Sequence, residues 1–288
     1  MKNPDKIGVD ALPSEFNWEN FEGYNFVGDK TDQKGCGSCY VVASTTMLES
    51  RIMLYYGEKH DLSSQFPMQC NFMNEGCHGG WGLFNGMFLE DYYTVARNDA
   101  PYKAMTEYGA CSKYANAKPL AKVAQTYYVG GHYGGMSERD MMWELRARGP
   151  FLLDFDAGHE FMVYSKGILS QEGLPRHVRL MDDTWLRGEI MSDQIDDAPN
   201  DMTYEEYGLQ YEKLTHSTLL IGWGNEKKSD GTFTSYWIVR NSYGPYWGEE
   251  GNFRLRRGLN DFAAEGENSA LVPLLFNEDG TQIRPYSF

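Results

Sequence analysis

"DQKGCGSCYVVASTTMLESRIMLYYG", residues 32–57, joins a glycine-rich turn to a long apolar run. The run from Cys39 to Tyr56 is apolar on most faces and stops at Gly57, a residue common just past a helix end, so a buried central helix is predicted over 39–56. Its first turn would hold Cys39 against unpaired backbone N–H groups and the positive end of the helix dipole. Cys36 and Cys39 form a Cys-x-x-Cys pair. By itself that pair suits a redox couple, half a zinc site, or a structural thiol beside a nucleophile.

The rest of the composition narrows these readings. A chain of 288 residues allows one large domain or a two-lobed unit with a substantial core. A formal charge of -15 gives no basic stripe for nucleic acid and no polybasic membrane address. No apolar run reaches membrane-spanning length, and the opening "MKNPDKIGVDALP" lacks the apolar core of a signal peptide, so a soluble chain without a visible export signal is expected. The five cysteines, Cys36, Cys39, Cys70, Cys77 and Cys111, are odd in number, so two disulfides would leave one thiol over. All lie in the first 111 residues, which suggests a cross-linked N-terminal lobe followed by an unbridged one.

"LSSQFPMQC" (62–70) and "GGWGLFNGMFLEDYYTVA" (79–96) read as two further helices. After about residue 125 the pattern changes to short runs rich in aromatic and branched residues: "TYYVGG", "PFLLDFD", "HSTLLIGWG", "SYWIVRNS" and "NFRLRR". One helix interrupts them, "SERDMMWELRARG", with Ser137 and Asp140 placed as a capping box and Gly149-Pro150 as its stop. A helical lobe followed by a mainly antiparallel sheet lobe indicates an α+β fold. Residues 171–213 fit neither lobe. They carry eleven Asp or Glu against four Lys or Arg and read as an acidic, solvated insertion.

A thiol attacks a carbonyl as thiolate, and an ordinary thiol pKa of about 8.5 leaves little of it at neutral pH. A helix start lowers that value, and an imidazolium in contact lowers it further. Of six histidines, His60, His78, His159 and His177 stand in polar or irregular stretches and His132 among glycines; His216 opens a strongly apolar strand. Asn241 ends the next strand among aromatics, where its amide could fix the imidazole. Zinc would need four ligands at matched spacing, and the remaining cysteines are irregularly placed. A thioredoxin-type couple should follow a strand in a βαβ pattern, which is absent.

"QKGCGSCY", "EGCHGGW", "HSTLLIGWG" and "YWIVRNSYGPYWGEEGNFRLRRG" resemble the motifs of the papain family of cysteine peptidases. The likeness runs from about Leu12 to Leu275. It implies a two-lobed fold, a helical left lobe (12–125) and a β-barrel-like right lobe (126–275) with the active-site cleft between them, and a tail over 276–288. It implies Cys39 as nucleophile, His216 as general acid and base, Asn241 as its orienter and Gln33 as side-chain donor of the oxyanion hole. It also implies disulfides Cys36–Cys77 and Cys70–Cys111, leaving Cys39 free. Gly79 and Gly80 would meet the substrate backbone, and Trp81 and Ala264 would form the wall and floor of an apolar specificity pocket. No metal is implied.

Within the family, "GYNFVGDKTDQKGCGSCY", "YYVGGHYGGMSERDMMWELRARGP" and "EFMVYSKGIL" are most similar to the cathepsin C branch of dipeptidyl peptidases. That likeness implies peptide substrates, a separate exclusion domain as partner, a cut within the acidic insertion on maturation, and a lysosome-like or secreted location. No cofactor is implied; for that branch's chloride site Tyr128 is present while Leu83 replaces a second tyrosine, which counts against chloride dependence. Tyr243 stands where the family has a tryptophan, and Phe262 replaces a family cysteine. An ordinary endopeptidase is the rival within the enzyme class; a silent papain-fold binding module is the rival outside it.

Overall fold

The computed structural model describes residues 12–107, 109–171, 214–277 and 279–285. The acidic insertion, apart from Gln171, lies outside the described residues. Helix α1 (Cys39–Tyr56) spans the predicted run and is buried along almost its whole length, as an all-round apolar helix must be. Gly57 ends it at φ 70°, donating its N–H to the Met53 carbonyl. Helix α2 (Gln65–Cys70) and helix α3 (Gly82–Asp91) follow. The apolar pattern suggested that the latter would run to Ala96. It stops at Asp91 because the next residues turn extended, with Thr94 bridging Ala121 and Ala96 bridging Leu62.

The sheet lobe is organised around one long strand. Strand β5 (His216–Lys227) pairs on one side with β6 (Phe233–Arg240). Its other side is shared by β3 (Phe151–Phe155) and β1 (Phe16–Asn17), so the start of the chain belongs to this sheet. Beyond β6 lie β7 (Asn252–Arg256) and the two-residue β4 (Ile168–Leu169); the β4–β7 pair is parallel and the other pairs are antiparallel. A separate antiparallel ribbon joins β2 (Ala121–Tyr128) to β8 (Ser269–Leu275), so the division near residue 125 falls within β2. Pro273 sits in β8 opposite Val123, beside the bulge between Val123 and Gln125, where a missing N–H is tolerated.

Helix α4 (Glu138–Arg148) starts with the predicted capping box, Ser137 Oγ accepting the Asp140 N–H and Asp140 Oδ2 accepting the Ser137 N–H. Helix α5 (His159–Met162) is a single turn after β3. Arg51, 0% exposed on α1, joins the parts. Its guanidinium donates to the Pro150 and Leu271 carbonyls at 2.8 and 3.2 Å and to Glu144 Oε1 at 2.9 Å. One side chain thereby ties α1 to α4, to the turn before β3 and to β8. The cross-links are Cys36–Cys77 and Cys70–Cys111, both within the helical lobe.

Candidate active site

Cys39 is the first residue of α1 and the free cysteine of the five. The turn ahead of it is held by the Cys36–Cys77 disulfide and by Gly37, whose N–H donates to the Cys77 carbonyl at 2.8 Å. A side chain at Gly37 would sit 2.7 Å from that carbonyl oxygen, so only glycine permits the approach. Tyr102 braces the same turn, its hydroxyl bonded with Ser38 Oγ and donating to the Gln33 carbonyl.

His216 opens β5 opposite Phe155 and is 6% exposed. Its ring lies among Phe155, Phe161 and Tyr243, with centroids 5.2–5.8 Å apart. Nε2 lies 2.8 Å from Asn241 Oδ1. The same oxygen accepts the Ser242 backbone N–H at 2.8 Å, and a backbone N–H can only donate. The amide orientation is therefore fixed, and Nε2 must carry the proton in this bond. In the neutral ring Nδ1 is then the open acceptor. Tyr243 and Trp247 pack with Phe161 beside this bond, so an aromatic cover is kept although Tyr243 replaces the family tryptophan.

Gln33 is buried and held from both ends. Oε1 accepts from Ser242 Oγ, and Nε2 donates to the Cys36 carbonyl at 2.9 Å. An amide nitrogen has two protons, so one stays available. Ser242 thus serves both Gln33 and Asn241, a role that one serine after an asparagine does not announce in the sequence.

Cys39, Gly79, Gly80, Trp81 and His216 line one cavity of about 360 Å³ between the lobes. A larger cavity of about 650 Å³, beside Phe16 and Arg146, lies away from these residues. Burial pushes the Cys39 thiol up, and the nearby Asp154 carboxylate adds to that; the Ser217 backbone and the N–H groups at the start of α1 pull the other way. Burial pushes His216 down to about 4, opposed by its bond to Asn241. Each group is thus a poor site for a lone charge. Moving one proton from Cys39 to His216 creates two opposite charges together, which a buried site tolerates better.

A side cavity of about 100 Å³ opens beside this cleft and shares Trp81 and Asp154 with it. Leu83, Phe84 and Tyr128 form its apolar walls, and Glu267 and Ser269 complete it. Ala264, expected at its floor, does not line it. The chain turns through left-handed backbone at Asn260, Phe262 and Ala263 (φ 50–58°), leaving Ala264 in the core with its carbonyl accepting from Asn268. Asp154 and Glu267 went unrecognised; the available signal was a carboxylate inside the buried run "FLLDF". A chloride fits poorly here, because these two carboxylates face the space that Tyr128 and Leu83 border. Among the described residues no cluster of side chains could hold a metal.

Comparison with known proteins agrees with this geometry. The family model described as "Papain family cysteine protease" matches residues 12–181 and 200–273. Cathepsin C of Schistosoma mansoni is 30% identical over 269 residues, covering 92% of this chain and 52% of its own length. Dipeptidyl aminopeptidase 1 of Plasmodium falciparum is 26% identical, covering 93% and 45%. Bovine pro-cathepsin H is 28% identical, covering 93% and 67%. The chain spans about half the length of the first two. Among solved structures, the bromelain protease of Ananas comosus superposes with a TM-score of 0.64 at 22% identity over 91% of this chain and 99% of its own, a likeness of fold.

Proposed function

This chain belongs to the papain family of cysteine proteases, and on that premise we propose that it is the catalytic unit of a cathepsin C-like dipeptidyl peptidase. The observation that carries the chemistry is the His216–Asn241 bond facing the free thiol of Cys39 across one cavity. Asn241 holds the Nε2–H, so Nδ1 takes the thiol proton as Cys39 Sγ attacks the peptide carbonyl. The negative oxygen that develops is held by the second Gln33 Nε2 proton and by the Cys39 backbone N–H at the start of α1. His216 returns the proton to the leaving amine, giving a thioester. It then activates water to release the acid and restore the thiol. Gly79 and Gly80 guide the substrate backbone along the cleft.

The exopeptidase reading is supported by the 30% identity to a cathepsin C, and the half-length coverage of such relatives is compatible with an exclusion domain outside this sequence. The endopeptidase reading is kept as the rival because a pro-cathepsin H and a cathepsin L-like proteinase match at 28% and 27% identity, close to the same value. Two disulfides favour folding in an oxidising compartment, and the site is proposed to lie in a lysosome-like vacuole or outside the cell. Among the described residues no helix is long and apolar enough to cross a membrane. Chloride has no role in the proposed mechanism.

A fluorogenic dipeptide amide offered with a free and with a blocked amino end, against a Cys39→Ala control, tests the reading. Cleavage of the free form alone supports a dipeptidyl peptidase; cleavage of the blocked form shows an endopeptidase. No cleavage, with no selective labelling of Cys39 by a peptide electrophile, refutes both in favour of a silent module.

A further inference from the structure

Both donors of the oxyanion hole are gripped from behind by one phenol. Tyr102 is half-buried and packs on the cluster of Cys36, Tyr40, Val41 and Met68. Its hydroxyl donates to the Gln33 carbonyl at 2.9 Å and lies 2.5 Å from Ser38 Oγ. A carbonyl can only accept and a phenol has one proton, so the Ser38 hydroxyl donates to Tyr102. That direction is unusual for its place. Ser38 is the N-cap of α1, where a serine oxygen ordinarily accepts a helix N–H, and it makes no such bond. Burial holds the phenol above its usual range, with the Ser38 bond opposing and the charges of Asp32 and Cys39 adding, so Tyr102 keeps the proton it donates.

We propose that Tyr102 is a positioning residue for the transition state, fixing the separation between the Gln33 side chain and the Cys39 backbone N–H that together hold the developing oxyanion. The inference rests on the peptidase reading above. The Cys39 N–H belongs to the peptide bond that Ser38 begins, so anchoring Ser38 aims that donor, and anchoring the Gln33 backbone aims the other. The chain between them would not hold this spacing by itself. It passes through Lys34 at φ 56°, left-handed backbone that residues other than glycine rarely adopt. The phenol is clamped in turn. Gln65, 2% exposed, accepts the Lys103 N–H and donates to the Met105 carbonyl, both at 2.8 Å, and Ser63 Oγ donates to the Ala100 carbonyl at 2.6 Å. Donors placed beforehand stabilise a charge that appears only in the transition state, and displaced donors do so poorly.

The test compares the full chain with Tyr102→Phe, which keeps the ring and loses the hydroxyl, on fluorogenic dipeptide amides with free and blocked amino ends. With two hydrogen bonds lost, kcat is expected to fall by about tenfold while KM stays within about twofold. Alkylation of Cys39 by iodoacetamide develops no oxyanion and should stay within about twofold of the unaltered rate. Ser38→Ala cuts one arm and should lower kcat by about threefold. The double variant should cost no more than Tyr102→Phe alone, because the two hydroxyls act in series. An unchanged kcat, a loss confined to KM, or an equal loss in alkylation overturns the proposal. If Tyr102→Phe does not fold, Ser38→Ala decides by the same readings. If the unaltered chain cuts no amide, a peptide aldehyde replaces the substrate: Cys39 Sγ adds to its carbon, the thiol proton passes to its oxygen, and that oxygen takes the oxyanion place. Binding to Tyr102→Phe that is weaker by about tenfold upholds the proposal, and equal binding overturns it. Absence of binding by the unaltered chain sinks the peptidase reading and this inference with it.

Discussion

Replacing His216 by alanine should change how Cys39 reactivity depends on pH more than it changes the reactivity at any one pH. In the unaltered chain His216 is held down to about 4, so it is neutral and able to take the thiol proton throughout the range above that. Because thiolate and imidazolium together offset the burial that each would meet alone, alkylation through the pair should be nearly flat from pH 5.5 to 7.5, falling as pH drops far enough to protonate His216 beside the neutral thiol. In His216→Ala the thiol keeps its buried site, which pushes it above the ordinary value of about 8.5. Thiolate then rises tenfold per pH unit below that value, so two units give about a hundredfold increase over the same range. Because the comparison is of slopes, it is independent of any difference in intrinsic nucleophilicity. Iodoacetamide labelling followed by intact mass reads it, with circular dichroism to confirm folding. A flat profile in His216→Ala, or a steep one in the unaltered chain, would refute the assignment of His216 as the partner of Cys39.

Gln33→Ala should lower kcat by about a hundredfold or more with little change in KM, because its free amide proton meets an oxygen whose charge develops only in the transition state; a change confined to KM counts against that role. Arg51→Met removes one partner of the buried Glu144, which keeps Arg148 and Tyr127, and takes the donor from three carbonyls, so unfolding should become easier by about 3 kcal/mol, with part recovered in Arg51→Met/Glu144→Leu. Chemical denaturation that finds less than about 1 kcal/mol would contradict this. Stability should fall as pH rises from about 5 to 8. Glu49, Asp154 and Glu267 have carboxyls raised to about 7 by burial, above ordinary values of 4.5, 3.8 and 4.5, and these three outnumber the opposite shift of His216, so the folded state holds more protons than the unfolded state across that interval. The opposite slope, with a thermal midpoint higher at pH 8 than at pH 5, would show that these carboxyls are not raised in the folded protein.

Helix α1 was legible in the sequence because both of its limits are local: a run that is apolar on most faces and a glycine that can take φ 70°. The same holds for α4, whose cap and stop are set by Ser137, Asp140 and Gly149. Strand β5 was legible from its branched and apolar residues. Strand β8 was not, because Pro273 argues against a strand unless the bulge opposite is known. Strand β1 has two residues and exists through its partner at Trp223 and Gly222. The motif residues Cys39, His216, Asn241 and Gln33 were identified by pattern, and the fold sets them around one cleft. Glu267 was missed because distance along the chain does not show that the left-handed turn at Asn260, Phe262 and Ala263 is followed by a carboxylate beside Trp81 and Tyr128.

The central place of β5 has a consequence for how the protein could survive being cut. Everything after residue 213, including His216 and Asn241, is joined to Cys39 by no cross-link, since both disulfides close loops between residues 36 and 111. What holds the later part is strand pairing, β5 with β1 and β3, β7 with β4, and β8 with β2. Two polypeptides divided between residues 171 and 214 would carry the thiol on one and the imidazole on the other. Each would have strand edges that only its counterpart completes, so the pair amounts to a split enzyme whose activity reports its own reassembly.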